Sequence, residues 1–228
     1  MPIPAITPYP MPQDLDLPAG GPSWRPDPRR AALLIHDMQR FFTRSLPAGA
    51  SPTTALLTNI ARVRDAAGAH GMPVFFSAQP GGATRTERGL LHDLWGPGMR
   101  AVPEDRDIEP SLAPRPGDVV IHKTRWSAFH GTGLAAALAS AGRDQLIVCG
   151  VFAHLGCLFT AADAFTRDVA PFLVADAVAD FTPAEHRAAL TFAARRFAVV
   201  LHTATLLSAL SPAVPTRPGR HADPGPET

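Results

Sequence analysis

The amino-acid sequence predicts an α/β fold: a three-layer α/β/α doubly wound (Rossmann-like) domain around a six-stranded parallel sheet. Its short apolar runs are nearly continuous in Val, Ile, Leu and Phe, which is typical of parallel strands buried on both faces. Segments with helical periodicity separate these runs, and a regular alternation of strands and helices favours a doubly wound sheet. The predicted strands cover residues 31–36, 73–78, 118–122, 145–151, 171–175 and 197–202.

The helices are predicted from apolar spacing and from residue types that favour helix starts. After the first strand, apolar residues recur at positions 56, 60, 63 and 67, behind Ser51 as the N-cap and Pro52 as the first helical residue. Segments 127–141 and 158–167 predict two more helices, and the sequence TPAE at 182–185 predicts a capping box that opens another.

A chain of 228 residues with 46% hydrophobic and 18% charged residues can form one large domain without disulfides or metals. We expect an extended, proline-rich N-terminal arm over residues 1–29, the α/β domain over 30–210 and a disordered tail over 211–228. The net charge of +1 and the scattered basic residues argue against a nucleic-acid partner. The N-terminus lacks a signal peptide's basic segment and no apolar run could span a membrane, so we expect a cytoplasmic protein without a membrane partner.

The two cysteines, Cys149 and Cys157, indicate neither a disulfide framework nor a metal site, because no Cys/His spacing typical of metal ligands accompanies them. The glycines near residue 150 do not form a G-x-G-x-x-G pattern and the sequence contains no Walker loop, so nucleotide binding has little support. We therefore expect neither a cofactor nor a metal ion.

Reactive side chains directly follow the predicted strands. Asp37 follows the first strand, Gln79 the second and Lys123 the third, and the fourth runs through Gly156 into a helix. Because ligands of doubly wound proteins bind beyond the carboxyl ends of the strands, these groups should share one cleft. Taken alone, an Asp after a strand is often a helix N-cap, and a strand-end Lys is more often solvated. Their convergence on one edge of the sheet favours a functional site.

Three histidines, His36, His122 and His154, also lie next to apolar segments. Most histidines in such positions are hydrogen-bonded structural groups, and we interpret His154 in particular in this way.

Several motifs resemble the isochorismatase family. They are ALLIHDMQ at 32–39, AQPG at 78–81, LWGPG at 94–98, SAF at 127–129, GVFAHLG at 150–156, DAF at 163–165 and ADAVADF at 175–181. The likeness runs from the N-terminal arm to about residue 210. It covers both the siderophore-pathway isochorismatases and the phenazine-type enzymes that act on 2-amino-2-deoxyisochorismate.

The wider superfamily to which this resemblance points uses an Asp–Lys–Cys triad. Its cysteine falls six positions after the glycine that is Gly150 here, and this chain has Gly156 at that position. Cys157 is the neighbour, and one step along a helical turn rotates a side chain by about 100°, so its thiol should point away from the pocket. The resemblance also implies a cis peptide bond near Val151-Phe152.

A site without a nucleophile favours a reaction that needs only an acid, and hydrolysis of the vinyl ether of an isochorismate-like dicarboxylate meets this requirement. Asp37 would protonate the terminal methylene carbon of the enolpyruvyl group, water would add, and the hemiketal would collapse to pyruvate. We expect an apolar setting from Met38, Phe41 and Phe152 to raise the pKa of the acid. Lys123 should then hold, at least in part, a substrate carboxylate.

The resemblance implies substrate contacts for Gln79, Arg88 and Trp95. Arg88 could pair with a carboxylate through two hydrogen bonds, and Trp95 could pack against the substrate ring. Backbone N–H groups near Gly156, at a helix N-terminus, should suit an anionic oxygen. The glycine itself should leave room for a bulky substrate.

Other functions stay open at this level. A cysteine-dependent amidase of the same fold would need Cys157 to be recruited by a shifted loop. A catalytically idle binding protein is supported only by Phe152 and Thr124, which replace a tyrosine and a tryptophan of the family pattern and leave the fine substrate preference in doubt. A nicotinamidase-type metal site is disfavoured because segment 76–80 contains no Asp or His.

The choice between isochorismate and its amino analogue is barely decided by the sequence. The short tail favours a stand-alone phenazine-type enzyme, whereas the Gly156-Cys157 pair favours the siderophore enzymes. The resemblance also suggests a homo-oligomer, with a dimer as the expected form.

Overall fold

The computed structural model describes residues 3–13 and 21–211. Its centre is one sheet of six strands: β1 (Ala31–His36), β2 (Val74–Ala78), β3 (Val119–His122), β4 (Gln145–Val151), β5 (Ala170–Ala179) and β6 (Val199–Leu201). All neighbouring strands pair in parallel in the order β3-β2-β1-β4-β5-β6, so the predicted fold class is confirmed. The chain reverses its direction of travel across the sheet between β1 and β4, which is where ligands of doubly wound proteins bind.

Helices connect the strands and cover both faces of the sheet. They are α1 (Arg40–Thr43), α2 (Thr53–Ala69), α3 (Arg85–Arg88), α4 (Leu90–Trp95), α5 (Pro103–Arg106), α6 (Leu134–Ser140), α7 (Leu158–Thr166), α8 (Pro183–Arg196) and α9 (Thr203–Leu210). A short 3₁₀ turn (Pro110–Leu112) precedes β3, and one wide helical turn (Ala153–Cys157) joins β4 to α7. None of the described helices is long and apolar enough to cross a membrane.

The core consists of two apolar layers, one on each face of the sheet. Side chains alternate along β1: Leu33 and Ile35 pack in the layer that includes residues of α2 and α9, and Ala32 and Leu34 pack in the layer that includes residues of α6, α7 and α8. This alternation is the period-2 geometry of a strand, and burial on both faces explains why β1 reads as a continuous apolar run.

Three predicted elements differ from the structure. Strand β3 is not buried on both faces, because it lies at the sheet edge and Val119 and Val120 are exposed. Strand β5 continues beyond the predicted 171–175 to Ala179 across a register shift against β4. The helix predicted over 127–141 covers only Leu134–Ser140.

Local hydrogen bonds explain why the helix predicted at 127 starts late. The Ser127 hydroxyl accepts from the N–H of Phe129 at 3.1 Å, and the Thr132 hydroxyl accepts from the N–H of Leu134 at 3.2 Å. Ser and Thr side chains that bond their own backbone compete with helix formation. The prediction that Ser51 caps α2 is off by one residue, since Pro52 is the N-cap.

The N-terminal arm packs onto the domain through residues 3–13, which have no regular secondary structure. Ile6, Tyr9 and Met11 are buried in the core layer that contains Leu33. The Tyr9 hydroxyl accepts a hydrogen bond of 2.8 Å from the backbone N–H of Asp180, just beyond β5. The predicted tail, apart from Ser211, lies outside the described residues.

Candidate active site

A cavity of about 540 Å³ lies beyond the carboxyl ends of the strands at the switch point. The fold brings to it Asp37 from the end of β1, Lys123 from the end of β3 and Gly156 from the turn after β4. The remaining lining consists mainly of aromatic and other apolar side chains, together with Arg44, Ser45, Gln79 and Arg88.

The backbone aims Asp37 into this cavity. Its φ of +49° places a non-glycine residue in the left-handed region, which is uncommon, although Asp tolerates it better than most residues. Such a conformation costs about 1–3 kcal/mol and persists only where the surroundings hold it. Here the N–H of Asp37 donates to Ser77 O at 3.2 Å, and the Ser77 hydroxyl donates to Asp37 Oδ1 at 2.6 Å.

The second carboxylate oxygen of Asp37 faces the ammonium group of Lys123. Nζ and Oδ2 lie 2.7 Å apart, and both side chains are almost completely buried. Nζ also donates to the carbonyl oxygen of Arg125 at 2.9 Å. The carboxylate accepts in each of its described hydrogen bonds, from Ser77, Gln79 and Lys123, so the arrangement fits an ionised Asp37.

The expectation that the pKa of Asp37 is raised is therefore wrong for the free protein. Burial acts to raise the pKa, but the charge of Lys123, its hydrogen bond and the Ser77 hydroxyl outweigh burial, and the pKa falls below the ordinary range. Phe41 and Phe152 line the cavity as predicted, whereas Met38 is buried in the core and does not line it. These apolar neighbours do not decide the protonation state.

Gly156 lines the cavity, but it does not leave free space in the direction of an absent side chain. A Cβ built on this residue would overlap Cε1 of His36 and would lie 2.8 Å from each ring nitrogen. The prediction that the glycine leaves room for substrate is thus corrected, because the His36 imidazole fills that volume. The N–H groups of the adjacent Leu155 and Cys157 both bond to Phe152 O, so an anion-binding role near Gly156 stays a prediction.

The thiol of Cys157 points away from the cavity, as expected from one step of a helical turn. Cys157 is fully buried in the core layer that contains Ala32 and Leu34, among residues such as Ala128 and Ala161. Burial, followed by the nearby Asp37 charge, raises the pKa of this thiol well above its ordinary value. A buried neutral thiol is a poor nucleophile, which disfavours the cysteine-dependent alternative.

All five predicted substrate residues line the cavity: Phe41, Gln79, Arg88, Trp95 and Phe152. Phe152 and Trp95 both pack against Phe181, whose ring centroid lies 4.6 Å from that of Phe152 and 6.0 Å from that of Trp95. The Gln79 amide nitrogen lies 3.5 Å from Asp37 Oδ2. The peptide bond Val151-Phe152 is cis, as the resemblance implies.

Arg88 carries a buried guanidinium at the edge of this cavity. It donates to Gly96 O at 2.8 Å and to Gln79 Oε1 at 3.4 Å, and within the described residues no carboxylate forms an ion pair with it. Gly98 lets it pack closely, since a Cβ there would lie 2.7 Å from its Cζ and would require a strained backbone at φ +76°. Burial and the neighbouring Arg125 lower its pKa, so an incoming anion would relieve an unfavourable charge.

The charges around the cavity suit an anionic ligand. Among the described lining residues, Arg44, Arg88 and Lys123 are cationic and Asp37 is the one acid. Arg44 is paired outside the cavity with Asp105 at 2.6 Å. Lys123 is shared with Asp37, which leaves Arg88 as the cation available to a ligand.

Several residues that build the site were not predicted from the sequence. Ser77 holds Asp37, and the buried Gln39 holds the loop of Gln79, to whose carbonyl it donates at 3.0 Å and from whose N–H it accepts at 2.7 Å. Ile3 and Ala5 of the arm also line the cavity.

His36 and His154 have hydrogen-bonding partners as predicted, whereas His122 is exposed at the end of β3. His154 Nδ1 lies 2.5 Å from Asp180 Oδ1, and its N–H donates to Oδ2 of the same carboxylate at 2.7 Å. The His36 ring lies beside the Asp37 carboxylate and also contacts the carbonyl oxygens of Val151 and Trp126. No cluster of metal-ligating side chains occurs in residues 3–13 or 21–211.

Fold and site together define an α/β enzyme with a buried Asp–Lys pair at a largely apolar cavity whose charges suit an anionic ligand. Comparison with known proteins specifies the family. Residues 31–205 match the isochorismatase domain. The chain is 50% identical over 205 residues to phenazine biosynthesis protein PhzD1 of Pseudomonas aeruginosa, covering 90% of this chain and 98% of that protein. It is 48% identical over 210 residues to the isochorismatase of Bacillus subtilis, covering 92% of this chain and 67% of that protein.

A solved structure supports the same assignment. The cysteine hydrolase from Pseudomonas syringae pv. phaseolicola aligns with a TM-score of 0.74 at 27% identity, over 82% of this chain and 94% of that chain. The chain belongs to the isochorismatase family.

Proposed function

We propose that this protein hydrolyses the vinyl ether of an isochorismate-like dicarboxylate, isochorismate or 2-amino-2-deoxyisochorismate, and releases pyruvate. The second product would be a 2,3-dihydro-dihydroxybenzoate or a dihydro-hydroxyanthranilate, an intermediate of siderophore or of phenazine or other antibiotic biosynthesis. The observation that carries the proposal is the buried Asp37–Lys123 pair at a cavity in which His36 takes the place of a nucleophile.

Asp37 acts as the general acid in this proposal. Its carboxylic acid transfers a proton to the terminal methylene carbon, which forms a C–H bond and leaves an oxocarbenium ion. Water adds to the cationic carbon and returns a proton to the Asp37 carboxylate. The hemiketal then loses its ring alkoxy group, which takes up the hydroxyl proton, and pyruvate is released.

The acid must first acquire its proton, because Lys123 keeps it ionised in the free protein. A bound dicarboxylate brings negative charge close to Asp37 and competes for the Lys123 ammonium group. Both effects raise the pKa of Asp37. We therefore propose that substrate binding leads to protonation of Asp37. One substrate carboxylate would be bound by Arg88 and the other would interact with Lys123.

The cavity walls supply orientation. Phe41, Trp95 and Phe152 offer apolar surface to the substrate ring, and Gln79 lies between Asp37 and Arg88 with one hydrogen-bonding atom towards each. Phe152 has no hydroxyl, so any orienting hydrogen bond must come from the polar groups opposite.

The decisive test is pyruvate release from both substrates, measured with lactate dehydrogenase. Asp37→Asn should lower kcat by at least about 100-fold, the lower range of general acid catalysis, with a much smaller change in KM. Asp65→Asn, an exposed carboxylate on α2, is the matched control and should behave like the native protein. Substantial turnover by a folded Asp37→Asn protein would exclude the general-acid role.

We further propose a cytoplasmic homodimer. Support comes from the free, buried state of both cysteines, Cys149 and Cys157, and from exposed aromatic side chains at Phe159, Phe165 and Phe192 on α7 and α8. Light scattering should give twice the mass of one chain; a monomer at micromolar concentration would exclude the dimer.

A further inference from the structure

We propose that His36 sets the reaction class of this site by occupying the volume that a nucleophile at position 156 would need. The proposal rests on the proposed function only in calling the resulting reaction acid-catalysed. Its central claim is a mutual exclusion between two side chains, and this claim can be tested without any substrate.

The backbone is not what requires glycine at position 156. The φ angle of Gly156 lies outside the left-handed region, so its conformation admits any L residue. What a side chain would meet is the His36 ring, with Cε1 in overlap and both nitrogens at 2.8 Å. Real Cβ atoms do not approach other atoms so closely, so either the ring or the turn would have to move.

The ring has little freedom to move. His36 is completely buried, its Nδ1 lies 3.0 Å from Val151 O, and its Nε2 lies 3.3 Å from Trp126 O. These carbonyls belong to the end of β4 and to the loop after β3, so the imidazole connects the three strand ends that build the site. Burial lowers the pKa of His36 to about 4, and a neutral imidazole has a single N–H, so one of these two contacts is a hydrogen bond that rotation of the ring would break.

The blocked volume borders the catalytic pair. His36 Nδ1 lies 3.7 Å from Asp37 Oδ2, the oxygen that also contacts Lys123. A thiol projecting from position 156 would thus stand beside the Asp–Lys pair if the imidazole were absent. His36 is therefore a positioning residue: it lies beside the Asp37 carboxylate but does not line the cavity, and it excludes a nucleophile at position 156 from the Asp–Lys pair.

The steric claim is tested by a double-mutant cycle in thermal or urea unfolding. Gly156→Ala alone should lower the melting temperature by about 5 °C or more. In the His36→Ala background the same substitution should cost little or should even raise the melting temperature, because the methyl group enters the vacated space. Gly68→Ala, a helical glycine on α2 with open space around its Cβ position, is the control and should cost nothing in either background.

Equal costs of Gly156→Ala in the two backgrounds would overturn the proposal. If His36→Ala does not fold, His36→Asn supplies a second background, since it removes Cε1 and keeps a donor for Val151 O. A Gly156→Ala protein that fails to fold supports the claim when either double variant folds, and overturns it when neither does.

The chemical claim is tested with iodoacetamide and mass spectrometry. In His36→Ala/Gly156→Cys the new thiol should be alkylated at least about 10-fold faster than the two native thiols, which are buried and whose pKa values are raised by that burial. Gly156→Cys in the native background should be unstable or slowly alkylated. Equally fast alkylation with and without His36 would show that the imidazole excludes nothing. Loss of pyruvate release in the earlier assay would leave both of these measurements unaffected.

Discussion

Replacing Lys123 by Met should destabilise the fold strongly at neutral pH. The side chains of Lys123 and Asp37 are 1% and 7% exposed, and Met preserves the shape of the stem but leaves the carboxylate charge buried without a partner. Removing one member of a buried ion pair costs about 3–5 kcal/mol. For a domain of this size, that loss corresponds to a melting temperature lower by roughly 6–20 °C.

The loss should depend on pH, with a sign set by Asp37. In the native protein its folded pKa is depressed, so the carboxylate contributes stability above its ordinary value of 3.8, and the contribution is lost as pH falls through the folded pKa. In Lys123→Met the largest influence opposing burial is gone, so we expect the folded pKa of Asp37 to lie above the unfolded one. Stability is then lost as pH rises above the unfolded pKa, by up to about 1.4 kcal/mol per pH unit.

Urea unfolding followed by tryptophan fluorescence at about pH 5 and pH 8 measures this difference. The gap between native protein and Lys123→Met should be wider at the higher pH. Arg115→Met is the matched control: its ion pair with Asp65 has the same 2.7 Å separation but is more than half exposed, so its loss should cost less than about 1 kcal/mol. A Lys123→Met cost that is below about 1 kcal/mol, or equal at both pH values, would refute a buried, charge-compensated pair.

Three other outcomes are expected. Cys157→Ala should keep turnover within about twofold of native, because its thiol lies outside the cavity and is protonated; abolished activity would instead favour the cysteine-dependent amidase. Arg88→Gln should raise KM about 10- to 100-fold, the effect of losing one charged hydrogen-bond partner, with less change in kcat. An unchanged KM would show that another group binds the substrate carboxylate. Burial lowers the pKa of His154, but the hydrogen bond and charge of Asp180 outweigh burial, and the pKa is raised above 6.5. The His154–Asp180 pair therefore stabilises the fold below that pH, and this stabilisation is lost as pH rises through the raised pKa. Thermal melts from about pH 6 to 9 should show this decline, and Asp180→Asn should abolish it.

Local sequence patterns were sufficient for much of the fold. The bounds of β1 and β4 match their predicted runs residue for residue, because these central strands are buried on both faces and leave no exposed position. Two expectations from the same patterns were wrong: burial of β3 on both faces, and a helix that begins at residue 127. Exposure at a sheet edge and competing side-chain hydrogen bonds depend on neighbours that apolar periodicity does not report.

The positions of Asp37, Lys123 and Gly156 were predictable, because strand ends in a parallel sheet point to one edge and the motifs resemble a known family. Their electrostatics and packing were not. The tertiary structure decides that Asp37 is ionised in the free protein, since a 2.7 Å contact to Lys123 outweighs burial.

The sequence by itself determined a doubly wound domain, its reactive edge and the absence of a cysteine at position 156. Only the tertiary structure decided what fills the place of that cysteine. His36 and Gly156 are 120 positions apart in the chain, and the parallel pairing of β1 with β4 brings one against the other. Such a contact between side chains from different strands has no signature in local periodicity, so the role of His36 could be recognised only from the packed molecule.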